Sequence, residues 1–541
     1  MLRLCENRKN TMVLRYAVPF YTALYDCERI KERTRENACY QRICHLFEKS
    51  CAFSPAQKET QESDAYEYIA SSLLSDDPRH RNPGRSYAFD LSALPKEYLD
   101  EQGKMTFRFC YKAKEEGGQT KEITVRMSQM GVYYFRTNVG ILWYELEPGA
   151  AGEELTLEEL VYFQNQCKEL HRANGAQVLL RKENNKNVKY IPGKLFASIL
   201  EDLFSLDVQD KEIPYGEGKL AFHFFDPSFS REKKDAQGNV TMPSREYPDK
   251  AILFTYLLLD GDSEDAIDDL EKTAYYFSSG YTSRYHISQI TRARMYEPFE
   301  GVRWFATRDG AGYYALRTED NRMFFQNNLA GKIRVDYFLF FILALHQSYA
   351  LNNYQRRITA ELSANPNSYL NESASAQKME HLLAEINVFA MKSIYMSVSH
   401  VQHQNDFFEY LQKNLEIQED MESLSLGIES LTELSRLQRE DSEKENEKKI
   451  NTILGIISLL TIVSALTDGF AIIQNYQQLL LDESLQANGL FFRLLELIRR
   501  DMPFSVWAIL LHVGLIVLMI YSIVTLLRIG RRKSRRSNGR S

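Results

Sequence analysis

Asn451, Gly455, Ser458, Thr461, Ala465 and Asp468 recur at steps of 4, 3, 3, 4 and 3, so every small or polar member of that set falls on one face of a helix. The other faces are mainly Ile, Leu and Val. In lipid, such a stripe fits two chemistries: close helix packing through small residues, or the wall of a water-filled path for ions. Asp468 tilts the reading toward the path, because an acid repeated around an oligomer forms a ring that attracts cations. Its position at the edge of the apolar run makes ionisation less costly than at the centre.

A second candidate chemistry is phosphate recognition. Arg181 with Lys182, Arg231 with Lys233 and Lys234, and Arg292 with Arg294 are basic groupings of the kind that bind phosphate oxygens, arginine bidentately. They are the candidate ligand-binding residues for a nucleotide, although each cluster also reads as solvated surface. Asp260, Asp262, Glu264, Asp268 and Glu271 occupy positions 1, 3, 5, 9 and 12 of a calcium-loop pattern. Asp265 stands where the sharp turn needs glycine, so an acidic helix start is the better reading. His223 and Asp226 lie at the end of an apolar strand-like run, the most catalytic-looking placement in the chain, but a turn-initiating Asp explains it equally. The spacing of Cys39, Cys44, His45 and Cys51 matches no common zinc site. Phosphate-binding loop, nucleophile elbow, HExxH and kinase signatures are all missing, so no catalytic residue is assigned and no enzyme is expected. A divalent cation is the one cofactor worth considering.

The elements that must position these residues begin with two long uncharged stretches, 450–467 and 504–527, followed by a tail dense in Arg and Lys. As a helix, 504–527 extends about 36 Å at 1.5 Å per residue, against a hydrocarbon core of roughly 30 Å. The first stretch reaches a similar span when continued to 473. The run 337–345, between Asp336 and His346, is far shorter and reads as a buried core helix. Lys444, Lys448 and Lys449 before the first span and the basic tail after the second place both termini on the cytoplasmic side. The expected organisation is an α+β sensing domain over 1–332, a helical stalk over 333–449, a first transmembrane helix over 450–473 and an outside segment over 474–503. A second transmembrane helix over 504–527 and a basic cytosolic tail over 528–541 complete it.

Within the first part, β-rich runs at 105–112, 123–127, 132–135, 141–146, 178–181, 220–225, 252–259 and 304–316 alternate with shorter helical ones. Asp309-Gly310 signals a hairpin in which glycine supplies positive φ. In the stalk, Ile417, Met421, Leu424, Ile428 and Leu431 are spaced 4, 3, 4 and 3, the seam of a coiled coil or bundle helix. Glu416, Glu419, Asp420 and Glu422 read as its solvated face. With no proline from about 407 to 473, a single rod running into the bilayer is expected.

With 541 residues, 26% of them charged, and a net charge of −7, most of the chain reads as a water-soluble body. Setting the basic tail aside makes the remainder more acidic, so nothing in the soluble part suggests a nucleic-acid surface and no nucleic-acid partner is expected. All seven cysteines lie in the part assigned to the cytoplasm, with no CxxC pair, so reduced thiols are expected. The first eleven residues are polar and mixed in charge, unlike a secretory signal, and Met12 is a possible alternative start.

This order of parts resembles the CorA-like metal ion transporter superfamily: a cytosolic α+β domain, a long helix continuous with a first span, a second span and a basic tail. In that family a Gly-Met-Asn signature ends the first span. Here the position reads Asp468-Gly469-Phe470-Ala471-Ile472, so only Gly469 matches. The resemblance implies a homopentamer in the cell membrane with the first span, including Gly469, lining a cation pore. Some divergent CorA-like proteins serve as antiviral effectors tied to type III CRISPR systems and are gated by a nucleotide messenger in place of metal. The large soluble part and the lost signature look similar to those.

Overall fold

The computed structural model describes residues 2–481, less 6–7, 26–31, 56–62, 67–68, 70–72, 74–83, 113–119, 172–176, 184–185, 190–191, 206–217, 230–232, 235–239, 243, 262–265, 280–286, 318–324, 365–372 and 396. Beyond 481 it describes only 513, 514, 517 and 521.

The main sheet includes β1 (Met12–Tyr25), β2 (Gly84–Phe89), β3 (Thr106–Lys112), β4 (Thr120–Phe135), β5 (Val139–Pro148), β6 (Gln177–Glu183), β7 (Lys219–Phe224), β8 (Ile252–Asp260), β9 (Val302–Thr307) and β10 (Gly310–Leu316), with three further short strands at Arg3–Leu4, Phe53–Pro55 and Lys186–Lys189. Its order is β9-β10-β8-β1-β5-β4-β3-β6, with β7 alongside the second half of β1 and β2 alongside β4. All of these pairings are antiparallel except β8 with β10. An α+β body was the expectation, and it is what forms. The runs expected at 123–127 and 132–135 are one strand, β4, whose pairing with β5 shifts register between Met127 and Gln129. Such a bulge breaks the alternation that marks a strand in sequence.

Both faces of the sheet are covered. On β8, Leu253, Leu257 and Leu259 join one apolar cluster while Ile252, Phe254, Tyr256 and Leu258 join the other. A strand buried on both sides reads as an unbroken apolar run, which is how β8 appears in sequence. Helices α1 (Glu32–Lys49), α2 (Leu157–Lys168), α3 (Pro192–Ser205) and α4 (Ala266–Ser279) pack on the first face. At the start of α2, the Thr156 side chain accepts from the Glu159 N–H while the Glu159 side chain accepts from the Thr156 N–H, and this capping box sets where the helix begins.

The second face carries α5 (Phe338–Ala364), α6 (Ser373–Ser393), α7 (Gln402–Asn414) and the first turns of α8 (Ile417–Leu481). The run 337–345 is buried throughout, as its brevity implied. Each of its large side chains contributes roughly 1.5–3 kcal/mol of burial. These helices belong with the sheet to one compact unit, which extends from Met1 to Thr432. Much of the segment expected as a stalk therefore packs into the second apolar cluster, against the sheet. The single rod expected from about 407 is also interrupted: α7 ends at Asn414, Glu416 takes a φ of 56°, and α8 starts at Ile417. The seam residues Ile417 and Ile428 are buried, with Met421 and Leu424 packed beside them on the body.

Among the described residues, no helix is long and apolar enough to cross a membrane. The second expected span lies outside the described residues apart from positions 513, 514, 517 and 521. The first lies within α8, but several of its side chains, among them those at 459, 460, 463, 466 and 467, are outside the description. Residues 474–481 of the expected outside segment continue α8.

Candidate functional site

Along one edge of β1 the neighbour changes. β8 pairs with residues Met12 to Ala17 and β7 with Phe20 to Tyr25, which leaves Val18 and Pro19 without a strand partner on that side among the described residues. Proline has no N–H to offer a ladder, so it is tolerated in this central strand where one neighbour is missing. The gap opens into a cleft of about 740 Å³. That is within the range of roughly 300–1,000 Å³ typical of small-molecule sites.

The cleft floor is Val18, Pro19, Phe225 and Ile252, and Leu345, Tyr349, Asn352 and Gln355 of α5 form one wall. The opposite wall is the start of α8: Asp420, Ser423, Leu424, Gly427 and Ile428. Acids Asp226, Asp249 and Asp309 stand at the rim with Lys250 and Arg308. Counting Asp420, four acids face two bases, a formal balance of −2. Burial raises the Asp420 carboxyl against the pull of Arg308, and Glu416 and Glu419 add to the rise. Burial also lifts the Tyr349 phenol well above its usual range, helped by Asp226 and Asp309.

Several rim charges are already engaged. Lys168 Nζ lies 2.9 Å from Asp309, Ser228 Oγ donates to Asp249 over 2.7 Å, and Arg308 lies 2.6 Å from Glu416. The last pair, exposed at the surface, lies at the joint between α7 and α8, where the left-handed Glu416 costs about 1 kcal/mol or more.

Earlier along β1, a buried charge cluster joins it to β5, where Arg15 stands opposite Glu145. Glu145 accepts from Arg15 Nε at 2.7 Å and from Arg334 Nε at 3.0 Å, and Arg15 also donates to the Arg334 carbonyl at 2.7 Å. The Arg15 guanidinium lies against the rings of Trp143 and Phe338, 4.6 and 4.4 Å from their centroids. Burial acts to raise the Glu145 carboxyl, but Arg15 and Arg334 together overcome it and hold the group below the ordinary glutamate value. Reading the sequence missed this cluster. Its signal was a charge inside two apolar strand runs, Leu14-Arg15-Tyr16 and Tyr144-Glu145-Leu146.

Of the residues expected to bind phosphate, Arg292 and Arg294 are the ones whose side chains are described, and their partners lie away from the cleft. Arg292 is spent on Asp268 at 2.5 Å and Glu271 at 3.4 Å, and the Arg294 carbonyl accepts from Tyr410 Oη at 2.8 Å. Neither arginine lines the cleft. Arg231 lies outside the described residues, as do the side chains of Arg181 and Lys182. His223 does not pair with Asp226. Its Nδ1 is 3.0 Å from Glu246 Oε2 and its Nε2 is 3.3 Å from Tyr25 Oη, while Asp226 turns to the cleft.

Positions 262–265 of the calcium-loop pattern lie outside the described residues; Asp260 pairs with Arg317 at 2.5 Å, and Asp268 stands in the first turn of α4. Cys39 and Cys44 are buried and Cys51 is exposed, all as free thiols. Among the described residues, no group of three or more His, Cys, Asp or Glu could hold a metal ion. In the stripe, Asn451, Ser458, Thr461, Ala465 and Asp468 are exposed and Gly455 is partly so; for Gly469 only the helical backbone is described. The hydroxyls of Ser458 and Thr461 donate to the Leu454 and Ile457 carbonyls at 2.8 and 2.9 Å.

Comparison with protein-family models and with curated proteins found no match.

Proposed function

We propose that this chain is a homo-oligomeric, CorA-like membrane channel or transporter for cations, in which the body senses a ligand in the cleft and α8 conveys its state to a pore. The pore would be lined by Asn451, Gly455, Ser458, Thr461, Ala465, Asp468 and Gly469. One observation carries the reading: the helix that forms a cleft wall at Asp420–Ile428 also bears the polar stripe, within the single element Ile417–Leu481. A ligand shifts an equilibrium only through contacts that differ between states, and one that touches both the sheet and α8 has such contacts. A membrane surrounding is supported by the apolar runs at 450–473 and 504–527, and by Ile450, Ile453, Leu454, Ile456 and Ile457, each more than half exposed. Hydroxyls bonded to their own helix, as at Ser458 and Thr461, are compatible with that setting. One hairpin cannot enclose a pore, so the activity needs several copies, five on the CorA-like plan, with both termini on the cytoplasmic side of the cell membrane.

The test is cation flux into liposomes carrying the full-length protein. Asp468→Asn is expected to lower flux about tenfold at equal protein content; unchanged flux removes Asp468 from the mechanism, and flux no greater than in empty liposomes retires conduction. The second reading, a nucleotide-messenger-gated effector of antiviral defence that makes membranes leak, is favoured by the missing Gly-Met-Asn signature and the large body. It expects flux to rise with an added nucleotide and to ignore magnesium.

A further inference from the structure

We infer that the cleft binds a small organic polycation, a chain of spaced ammonium groups of the polyamine class. The inference deepens the ligand-sensing reading above and rests on it for the consequence of binding, though not for binding itself.

The engaged charges are set aside first. Asp309 is matched by Lys168, Arg308 by Glu416, and Asp249 accepts from Ser228. Asp226, at the end of β7, and Asp420, on α8, are left with no side-chain hydrogen bond or ion pair among the described residues; Lys250 is the one base likewise unengaged. The two open carboxylates belong to different elements, one on the sheet side of the cleft and one on the long helix. Open hydrogen-bonding groups accompany them: the side chains of Ser348, Asn352, Gln355 and Ser423 and the Tyr349 phenol make no hydrogen bond to the described residues. Pro19, Ile252, Leu345 and Leu424 form an apolar lining, and the rings of Phe225 and Tyr349 meet beside it, tilted to one another, with centroids 4.6 Å apart.

This arrangement selects against two other ligand classes. A polyphosphate would face two open carboxylates with one unengaged base to offset them, and juxtaposed like charges oppose binding. A bare metal ion lacks a converging donor set among the described residues. A methylene chain with ammonium ends satisfies every feature: carboxylates for the charges, amides and hydroxyls for the N–H donors, an apolar floor for the spacer and ring faces for cation–π contact. Bridging Asp226 and Asp420 would tie the sheet to the first turns of α8.

The experiment is isothermal titration of the full-length protein in detergent with spermidine, with magnesium chloride and ATP as separate probes. Saturable spermidine binding is expected, weakened about tenfold or more by Asp226→Asn and by Asp420→Asn. Glu101→Gln, which removes the same charge from an exposed turn, should leave it unchanged. Unfolding midpoints for each variant show whether the fold is kept. The inference is overturned by the absence of saturable spermidine binding, by equal weakening in Glu101→Gln, or by ATP binding that strengthens in Asp226→Asn. Because the titration reads binding without flux, a protein that binds spermidine but does not conduct fails the channel reading and keeps this one.

Discussion

His346 is a titratable group in the middle of the apolar second face. Its ring stacks on Phe135 at 3.7 Å, and its Nε2 lies 2.9 Å from Thr137 Oγ1. Burial pushes the imidazole down to about 3 from an ordinary value of 6.5. In that window the unfolded chain binds the proton and the folded one does not, so stability is lost as pH falls from about 6.5 toward 3. The loss amounts to up to a few kcal/mol, at about 1.4 kcal/mol per unit. We predict that the unfolding midpoint, followed by tryptophan emission in detergent, falls across this range and that His346→Gln flattens the fall; an equal slope in the variant assigns the effect elsewhere. In sequence, Asp336 and His346 looked like the polar ends of an apolar run, yet both are buried. Residue type marked where the run stopped and could not show that its flanks were buried too. Arg15 and Glu145 were hidden for a related reason, since a charge inside a strand is legible only when the partner across the sheet is known.

At the scale of elements, the hairpin at Asp309-Gly310 forms where the turn signal stood, but not for the expected reason. Gly310 is not among the glycines with positive φ, such as Gly301 at 72°. A Cβ at Gly310 would instead lie 2.8 Å from the Leu253 carbonyl oxygen and 2.9 Å from that of Ser278. Backbone crowding therefore demands glycine. Gly310→Ala is predicted to destabilise the body by about 1–3 kcal/mol, the usual range for overpacking. Gly427→Ala, in a helix with nothing within 4 Å of the added methyl, should be neutral or stabilising by up to about 1 kcal/mol. Unfolding midpoints that move the same way in both variants would contradict the crowding argument. Most strands were legible because β-branched and aromatic runs between turn residues announce a buried strand. β1 was only partly so: Pro19 argues against a central strand until the gap between β7 and β8 is seen.

For the whole molecule, the proposed membrane hairpin predicts that both chain ends lie on one side. With Ser541→Cys introduced and the exposed Cys51 as internal reference, impermeant thiol labelling of sealed vesicles should modify both from the same face, and carbonate washing should leave the protein in the pellet. Labelling from opposite faces, or release by carbonate, contradicts it. The sequence by itself determined the α+β class, the apolar run of α5, the turn between β9 and β10, and the hydropathy on which the membrane reading stands. These are local properties, set by side-chain chemistry and period along a few residues. Only the tertiary structure decided that the body continues to Thr432, that Asp420 faces a cleft, that His223 meets Glu246 rather than Asp226, and that Arg15, Glu145 and Arg334 share one buried site. Each of these joins positions far apart in the chain, and the free energy that brings them together comes from burying whole faces, which no short window of sequence contains.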